Sequence, residues 1–113
     1  MIDAYSFGCM VIDGEKYRRD LVIFPDRVKP NWWREQGHSL ALGDIQDILD
    51  ESPAVLVVGT GYFGIVNVPS EVREYIESRG IEFIAQKTAE AVGTYNRLVK
   101  DGKKVVGAFH LTC

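Results

Sequence analysis

The chain is poor in the residues that staple or ligate. Only two of its 113 residues are cysteine (Cys9 and Cys113) and only two are histidine (His38 and His110). The cysteines have no metal-type spacing, which argues against a zinc site and a disulfide framework and fits a reducing cytoplasm. No apolar run approaches the ~20 residues that a membrane-spanning helix needs. Met1-Ile-Asp-Ala-Tyr5 lacks the basic-then-apolar layout of a signal peptide, and nothing there reads as a mitochondrial presequence. Positive charge is not in excess either. Thirteen Lys and Arg stand against 16 Asp and Glu, for a net charge of -3 and a pI near 5.3. No global basic field recruits nucleic acid. A Walker lysine, G-x-S-x-G, H-E-x-x-H and paired-cysteine motifs are all missing. The sequence therefore names no catalytic residue, no metal ligand and no cofactor, and the chain reads as a cytoplasmic protein without a complete catalytic motif, which favours a non-enzyme and leaves the enzyme question open.

What is present is the composition of a foldable core: 46% hydrophobic and 26% charged residues. One domain over residues 1–113 is expected, large enough to bury a core unaided. Cys9–Ile12 and residues 16–24 read as two strands joined by Asp13-Gly14, a pair that favours the positive φ of a tight hairpin. Leu21-Val-Ile-Phe24 has no polar face, and Pro25-Asp26 ends it; Arg27–Pro30 reads as a short edge strand. Residues 30–39 have no period and form a loop carrying Trp32 and Trp33. Ile45, Ile48 and Leu49 predict a short amphipathic helix from about Gly43 to Asp50. Residues 54–58 read as a central strand covered on both faces. A helix follows from Pro69-Ser70 to about Arg79, with Val72, Tyr75, Ile76 and Arg79 as its inner stripe and Gly80 as its stop. Residues 81–85 form the next strand. Thr88 is the expected N-cap of a helix to about Lys100, buried through Ala91, Val92, Tyr95, Leu98 and Val99. Lys104–Leu111 is the last strand. Strand, helix, strand, helix, strand implies parallel pairing. The expected fold is a three-layer α/β domain with a mixed, mostly parallel central sheet and an N-terminal antiparallel hairpin.

Gly59-Thr-Gly-Tyr-Phe-Gly64 matches G-x-G-x-x-G after a strand, the spacing that lets a backbone approach a pyrophosphate. Two features weaken the dinucleotide reading. Ile65-Val-Asn-Val68 and Pro69 separate the glycines from the next helix, and Glu82 lies inside the following strand rather than at its end. A sharp turn with close backbone packing is the plainer reading. A small-ligand or anion site at this loop is the functional one, because open α/β sheets bind ligands beyond strand carboxyl ends. Its candidate lining is Gly59, Thr60, Gly61, Tyr62 and Gly64, with His38, Thr88 and Asn96 gathered beside them. Trp32 and Trp33 are candidate partner anchors; the plainer reading has one indole capping the sheet. His110 and Cys113, three apart on a strand, face opposite ways and should not share a metal. Gly93, inside a helix, suggests that something packs close to it. Lys16, Arg18, Arg19, Arg27, Lys29 and Arg34 are interleaved with Glu15, Asp20, Asp26 and Glu35, which reads as a solvated face.

Phe7-Gly8, Asp20-Leu-Val-Ile, Trp33, Gly37-His38, Val58-Gly-Thr-Gly61, Thr88, Tyr95-Asn96 and Gly107-Ala-Phe-His-Leu-Thr-Cys113 occur in this order over nearly the whole chain. The ordered set resembles the domain of unknown function 498 family, which includes the mitochondrial respiratory complex I assembly factor 3 and an adipogenesis-associated cytoplasmic protein. The resemblance implies a three-layer α/β domain with a mixed central sheet, and it implies no established catalytic residue, cofactor or substrate. The family often has proline before the helix-starting threonine; here Lys87 precedes Thr88. Two functional expectations follow. The first is an accessory or protein-interaction domain without catalysis, with a protein partner or a second copy of the chain and neither nucleic acid nor membrane. The second is a small-ligand-binding protein or enzyme that uses the glycine loop.

Overall fold

The computed structural model describes residues 1–113. The chain forms β1 (Ile2–Ser6), β2 (Cys9–Ile12), β3 (Glu15–Tyr17), β4 (Leu21–Phe24) and β5 (Arg27–Pro30). A 3-10 turn (Leu42–Ile45) runs into α1 (Gln46–Glu51); β6 (Val55–Gly59), α2 (Ser70–Ser78), β7 (Glu82–Gln86), α3 (Thr88–Lys100) and β8 (Val105–Phe109) follow. The central sheet has the order β5-β4-β8-β6-β7. Its parallel part is β8-β6-β7, and β4 and β5 extend it antiparallel.

β6 and β8 lie inside the sheet and are buried along their whole length, which is why both read as uninterrupted apolar runs. One face buries Val22, Phe24, Leu56, Val58, Val106 and Ala108 under the 3-10 turn, α1 and α2, through Ile45, Ile48, Leu49, Val72 and Ile76. The opposite face buries Leu21, Ile23, Val55, Val57 and Phe109 under Ala91 and Tyr95 of α3 and under Ile2, Met10 and Ile12 of the small sheet. These are the three layers that the element pattern predicts. Tyr95 sits edge-on to Phe109, and burial pushes its phenol up to about 12.

Four local expectations are corrected. The first concerns residues 9–24, which do not form one hairpin feeding the central sheet. β1, β2 and β3 make a separate antiparallel sheet, and β4 belongs to the other. Asp13 and Gly14 do have positive φ, at 49° and 83°, so the turn is the expected one. The break comes at Arg18-Arg19-Asp20, where the Asp20 carboxylate takes the Leu111 amide beyond the end of β8 and starts β4 alongside that strand. Second, Tyr75 and Arg79 are exposed rather than on the inner stripe of α2, and Arg79 reaches over the Tyr75 ring. Third, a Cβ on Gly93 would meet nothing within 4 Å, so no close packing explains that glycine. Finally, Thr88 is not the N-cap of α3: Lys87 occupies that position without a side-chain cap bond, and Thr88 is already the first helical residue.

Candidate functional site

Thr88 is free of capping because its hydroxyl is used across the sheet end. It donates to the His110 carbonyl at 2.7 Å and accepts from the Gly61 amide at 2.9 Å, while its own amide donates to the Gly61 carbonyl at 3.0 Å. The His110 amide in turn donates to the Gly59 carbonyl at 2.9 Å. Gly59, Gly61, Thr88 and the segment after β8 are thereby bolted together. Thr60 joins them, with its amide and hydroxyl both on the Gln86 carbonyl.

The loop is filled by the chain's own backbone. The Tyr62 amide donates to the Thr112 carbonyl and the Ile65 amide to the Cys113 carbonyl. Gly61 has φ of 111°, and a Cβ there would stand 2.5 Å from the Cys113 carbonyl carbon and 2.9 Å from the His110 ring. The amides of residues 60, 61, 62, 64, 65 and 66 all donate within the protein. A phosphate cradle needs such amides free. No cavity of the molecule is lined by residues 59–64. The other residues grouped with the loop scatter. Asn96 ties α3 to β1, its side chain bonding the amide and the carbonyl of Ile2 at 2.9 and 2.8 Å. His38 is exposed, with its ring centroid 6.1 Å from that of His110. Tyr62 points outward.

That outward turn makes a patch. Tyr62 and Phe63 are 47% and 61% exposed, and both pack against Phe7, itself 52% exposed. Ring centroids lie 5.0–6.4 Å apart in edge and tilted arrangements. Ile65 is exposed as well. The glycines on either side of Tyr62-Phe63 let the loop turn sharply enough to hold both rings out.

A second assembly lies on the other side of the post-β8 segment. His110 and Arg34 are both 7% exposed and meet Asp20. Asp20 Oδ1 accepts the Leu111 amide at 2.8 Å. Oδ2 lies 2.6 Å from His110 Nδ1 and 2.9 Å from Arg34 Nη2, which is also 2.9 Å from Nδ1. A guanidinium has only donors, and a carboxylate only acceptors. The short Nδ1···Oδ2 contact therefore requires the proton on Nδ1, and Arg34 donates to the carboxylate rather than to the ring. The other ring nitrogen, Nε2, has a single long contact, to Thr112 Oγ1 at 3.5 Å. Burial pushes the Asp20 carboxyl up. The His110 ring N–H, the Leu111 amide and the Arg34 guanidinium outweigh it and hold the group below its ordinary value. Arg34 Nε donates to the Gly37 carbonyl, its plane lies over the Trp32 ring, and its Nη1 is buried with no partner.

Trp32 is buried in the core, and its indole N–H donates to the Asp44 carbonyl of the 3-10 turn; Trp33 is 77% exposed. Asp20, His110 and both tryptophans border one cleft of about 310 Å³. The sequence reading missed Asp20 and Arg34 as site residues, because each sits among interleaved charges and their partner His110 is 90 and 76 positions away. The one usable signal was Asp20 standing directly before an all-apolar strand.

A family model described as "Protein of unknown function (DUF498/DUF598)" matches residues 2–110. The chain belongs to the DUF498/DUF598 family. Among solved structures, this family member is similar to a conserved hypothetical protein from Pyrococcus horikoshii OT3, with 29% identity, a TM-score of 0.88, and 100% and 99% of the two chains covered. It is also similar to an outer membrane protein from Bartonella henselae, with 25% identity, a TM-score of 0.84, and 99% and 94% covered. A Xanthomonas campestris protein solved by NMR shares the fold at 23% identity and a TM-score of 0.83, with 98% and 83% covered. In this DUF498/DUF598 chain no helix is long and apolar enough to cross a membrane.

Proposed function

We propose that the protein is an accessory domain that works by binding another protein, without catalysis, through the aromatic patch at the tip of the glycine loop. The observation that carries this reading is the contact of Phe7, Tyr62 and Phe63 with one another on the surface, with Ile65 exposed beside them. Grouped exposed rings are costly in a soluble monomer and mark interaction sites. Aromatic side chains also supply most of the binding energy where interfaces have hot spots. Lys87 is exposed, its stem lies against Gly64, and it forms no salt bridge. A partner segment with apolar side chains and a carboxylate alongside complements this surface. Cys9 and Cys113 are unpaired and partly accessible, which fits work in a reducing compartment such as the cytoplasm.

The test is peptide display selected on the wild-type domain and then measured on Tyr62→Asp/Phe63→Asp. Peptides rich in apolar residues with an acidic flank, binding the variant at least tenfold more weakly (about 1.4 kcal/mol), support the reading. Equal binding to both proteins defeats it. Sedimentation of the wild-type chain runs beside it, and a dimer that the double variant abolishes makes the partner a second copy of the chain instead.

A further inference from the structure

The glycine loop is filled, but the cleft over His110 is open and carries charge of the opposite sign to the whole chain. We propose that this cleft binds a small anion carrying a flat ring, such as a phosphomonoester or carboxylate of an aromatic or heteroaromatic compound.

Four observations carry it. First, the space of about 310 Å³ is within the range of small-molecule sites, at its lower end. Second, its walls hold Arg18 and Arg19, and neither makes a salt bridge or a side-chain hydrogen bond. The negative charge of Asp20, also in the lining, is offset by the buried Arg34 guanidinium 2.9 Å away. The basic surface continues into an adjoining groove lined by Lys16, Arg18 and Arg19. A chain of net charge -3 thus presents a cleft of locally positive field.

Third, His110 borders the cleft while almost wholly buried, and its Nε2 has only the 3.5 Å contact to Thr112. With Asp20 holding the Nδ1 proton, Nε2 is left as an acceptor for a ligand hydroxyl. Asp20 and Arg34 lock the ring in place, so the site is organised before a ligand arrives. Fourth, Trp33 leaves 77% of its surface in water at the cleft edge. A flat ring stacked on that indole removes apolar area from both partners.

The orientation is also set. Trp33 also borders a second depression containing Asp44, Asp47 and Asp50, of which only Asp47 is paired with a cation, Lys29. The anionic end of the ligand therefore points to Arg18 and Arg19, and the ring lies on Trp33. This surface is separate from the aromatic patch, and its test does not depend on any protein partner.

The probes are inorganic phosphate, adenosine, 5′-AMP and 1-naphthoate, each titrated into the wild-type chain by calorimetry and by amide NMR. The expected result is saturable binding of 5′-AMP or 1-naphthoate at least about tenfold tighter than phosphate. Adenosine, which lacks the anion, should bind weakly or not at all. Shifts should be centred on the Trp33 indole N–H, Asn31 and Thr112. Arg18→Ala/Arg19→Ala should weaken the flat anions by about tenfold or more. Trp33→Ala should reduce them to the level of phosphate. All three side chains are exposed, so an otherwise unchanged spectrum confirms that the variants fold. The proposal is overturned if neither flat anion saturates below about 10 mM, a strength at which binding is only a few kcal/mol. It is equally overturned if the variants bind as well as wild type, or if the shifts map elsewhere. An oligouridylate that outbinds 5′-AMP a hundredfold would make this a nucleic-acid surface and overturn the small-molecule assignment.

Discussion

Replacing Asp20 with asparagine tests the buried network more directly than any ligand. The carboxylate accepts three hydrogen bonds, from the Leu111 amide, His110 Nδ1 and Arg34 Nη2. An asparagine keeps one oxygen for Leu111 but turns an NH₂ toward the other two donors. His110 can respond by moving its proton to Nε2. Arg34 cannot, because a guanidinium stays charged and is already buried with Nη1 unpartnered. Removing one partner of a buried ion pair costs about 3–5 kcal/mol. At ~4 °C per kcal/mol for a domain of this size, Asp20→Asn should lower Tm by roughly 12–20 °C. A total stability of roughly 5–15 kcal/mol makes that measurable by urea unfolding. The control is Asp20→Asn/Arg34→Met, which removes both charges and should recover at least about 2 kcal/mol of the loss. The pH profile adds an independent check. The folded-state pKa of Asp20 is depressed, so its contribution is fully present above the ordinary value of 3.8 and is lost as pH falls through the folded value. The gap between wild type and Asp20→Asn should therefore be widest near neutrality and close in acid. A cost under about 1 kcal/mol, or single effects that simply add, would refute the claim that Arg34 depends on this carboxylate.

Two substitution pairs probe the bolt and the loop by the same unfolding assay. Thr88→Val strands the buried Gly61 amide and His110 carbonyl and should cost about 2–3 kcal/mol, whereas Thr88→Ser keeps the hydroxyl and should stay within about 1 kcal/mol. Gly61→Ala should cost at least about 2 kcal/mol, because its φ of 111° and the Cys113 backbone both reject a side chain; Gly93→Ala, on the open face of α3, should gain up to about 1 kcal/mol. Equal effects at the two glycines would contradict this account.

The elements legible in the sequence were those whose burial is set locally. β6 and β8 are apolar on both faces because each has a strand on either side and a layer above and below, so composition alone marked them. α3 read well because its stripe repeats over 13 residues. β1 did not, because Ile2 is the one buried residue among its five and the strand exists through pairing with β2. Thr88 looked like a cap because threonine before a helix usually is one. Its diversion to His110 depends on a strand that arrives 22 residues later. The Asp20–Arg34–His110 cluster was the least legible. Its members come from the linker into β4, a loop and the exit of β8, and each looks ordinary in its own neighbourhood.

The glycine motif and the buried cluster are nevertheless one construction. In a dinucleotide fold the space above such glycines is left for phosphate. Here the chain's own segment after β8 takes it: the Thr112 and Cys113 carbonyls accept the Tyr62 and Ile65 amides, and the His110 ring edge lies where a residue-61 side chain would stand. The absence of a side chain at Gly61 thus leaves room for the His110 ring that Asp20 holds through Nδ1. A side chain there must displace the Cys113 backbone and the His110 ring together, disturbing the 2.6 Å contact. Arg34 would then share its carboxylate less well, and Thr112 would shift at the cleft wall. Gly61→Ala should therefore weaken 5′-AMP or 1-naphthoate binding although residue 61 lines no cavity. Gly93→Ala, which leaves the bolt untouched, should not.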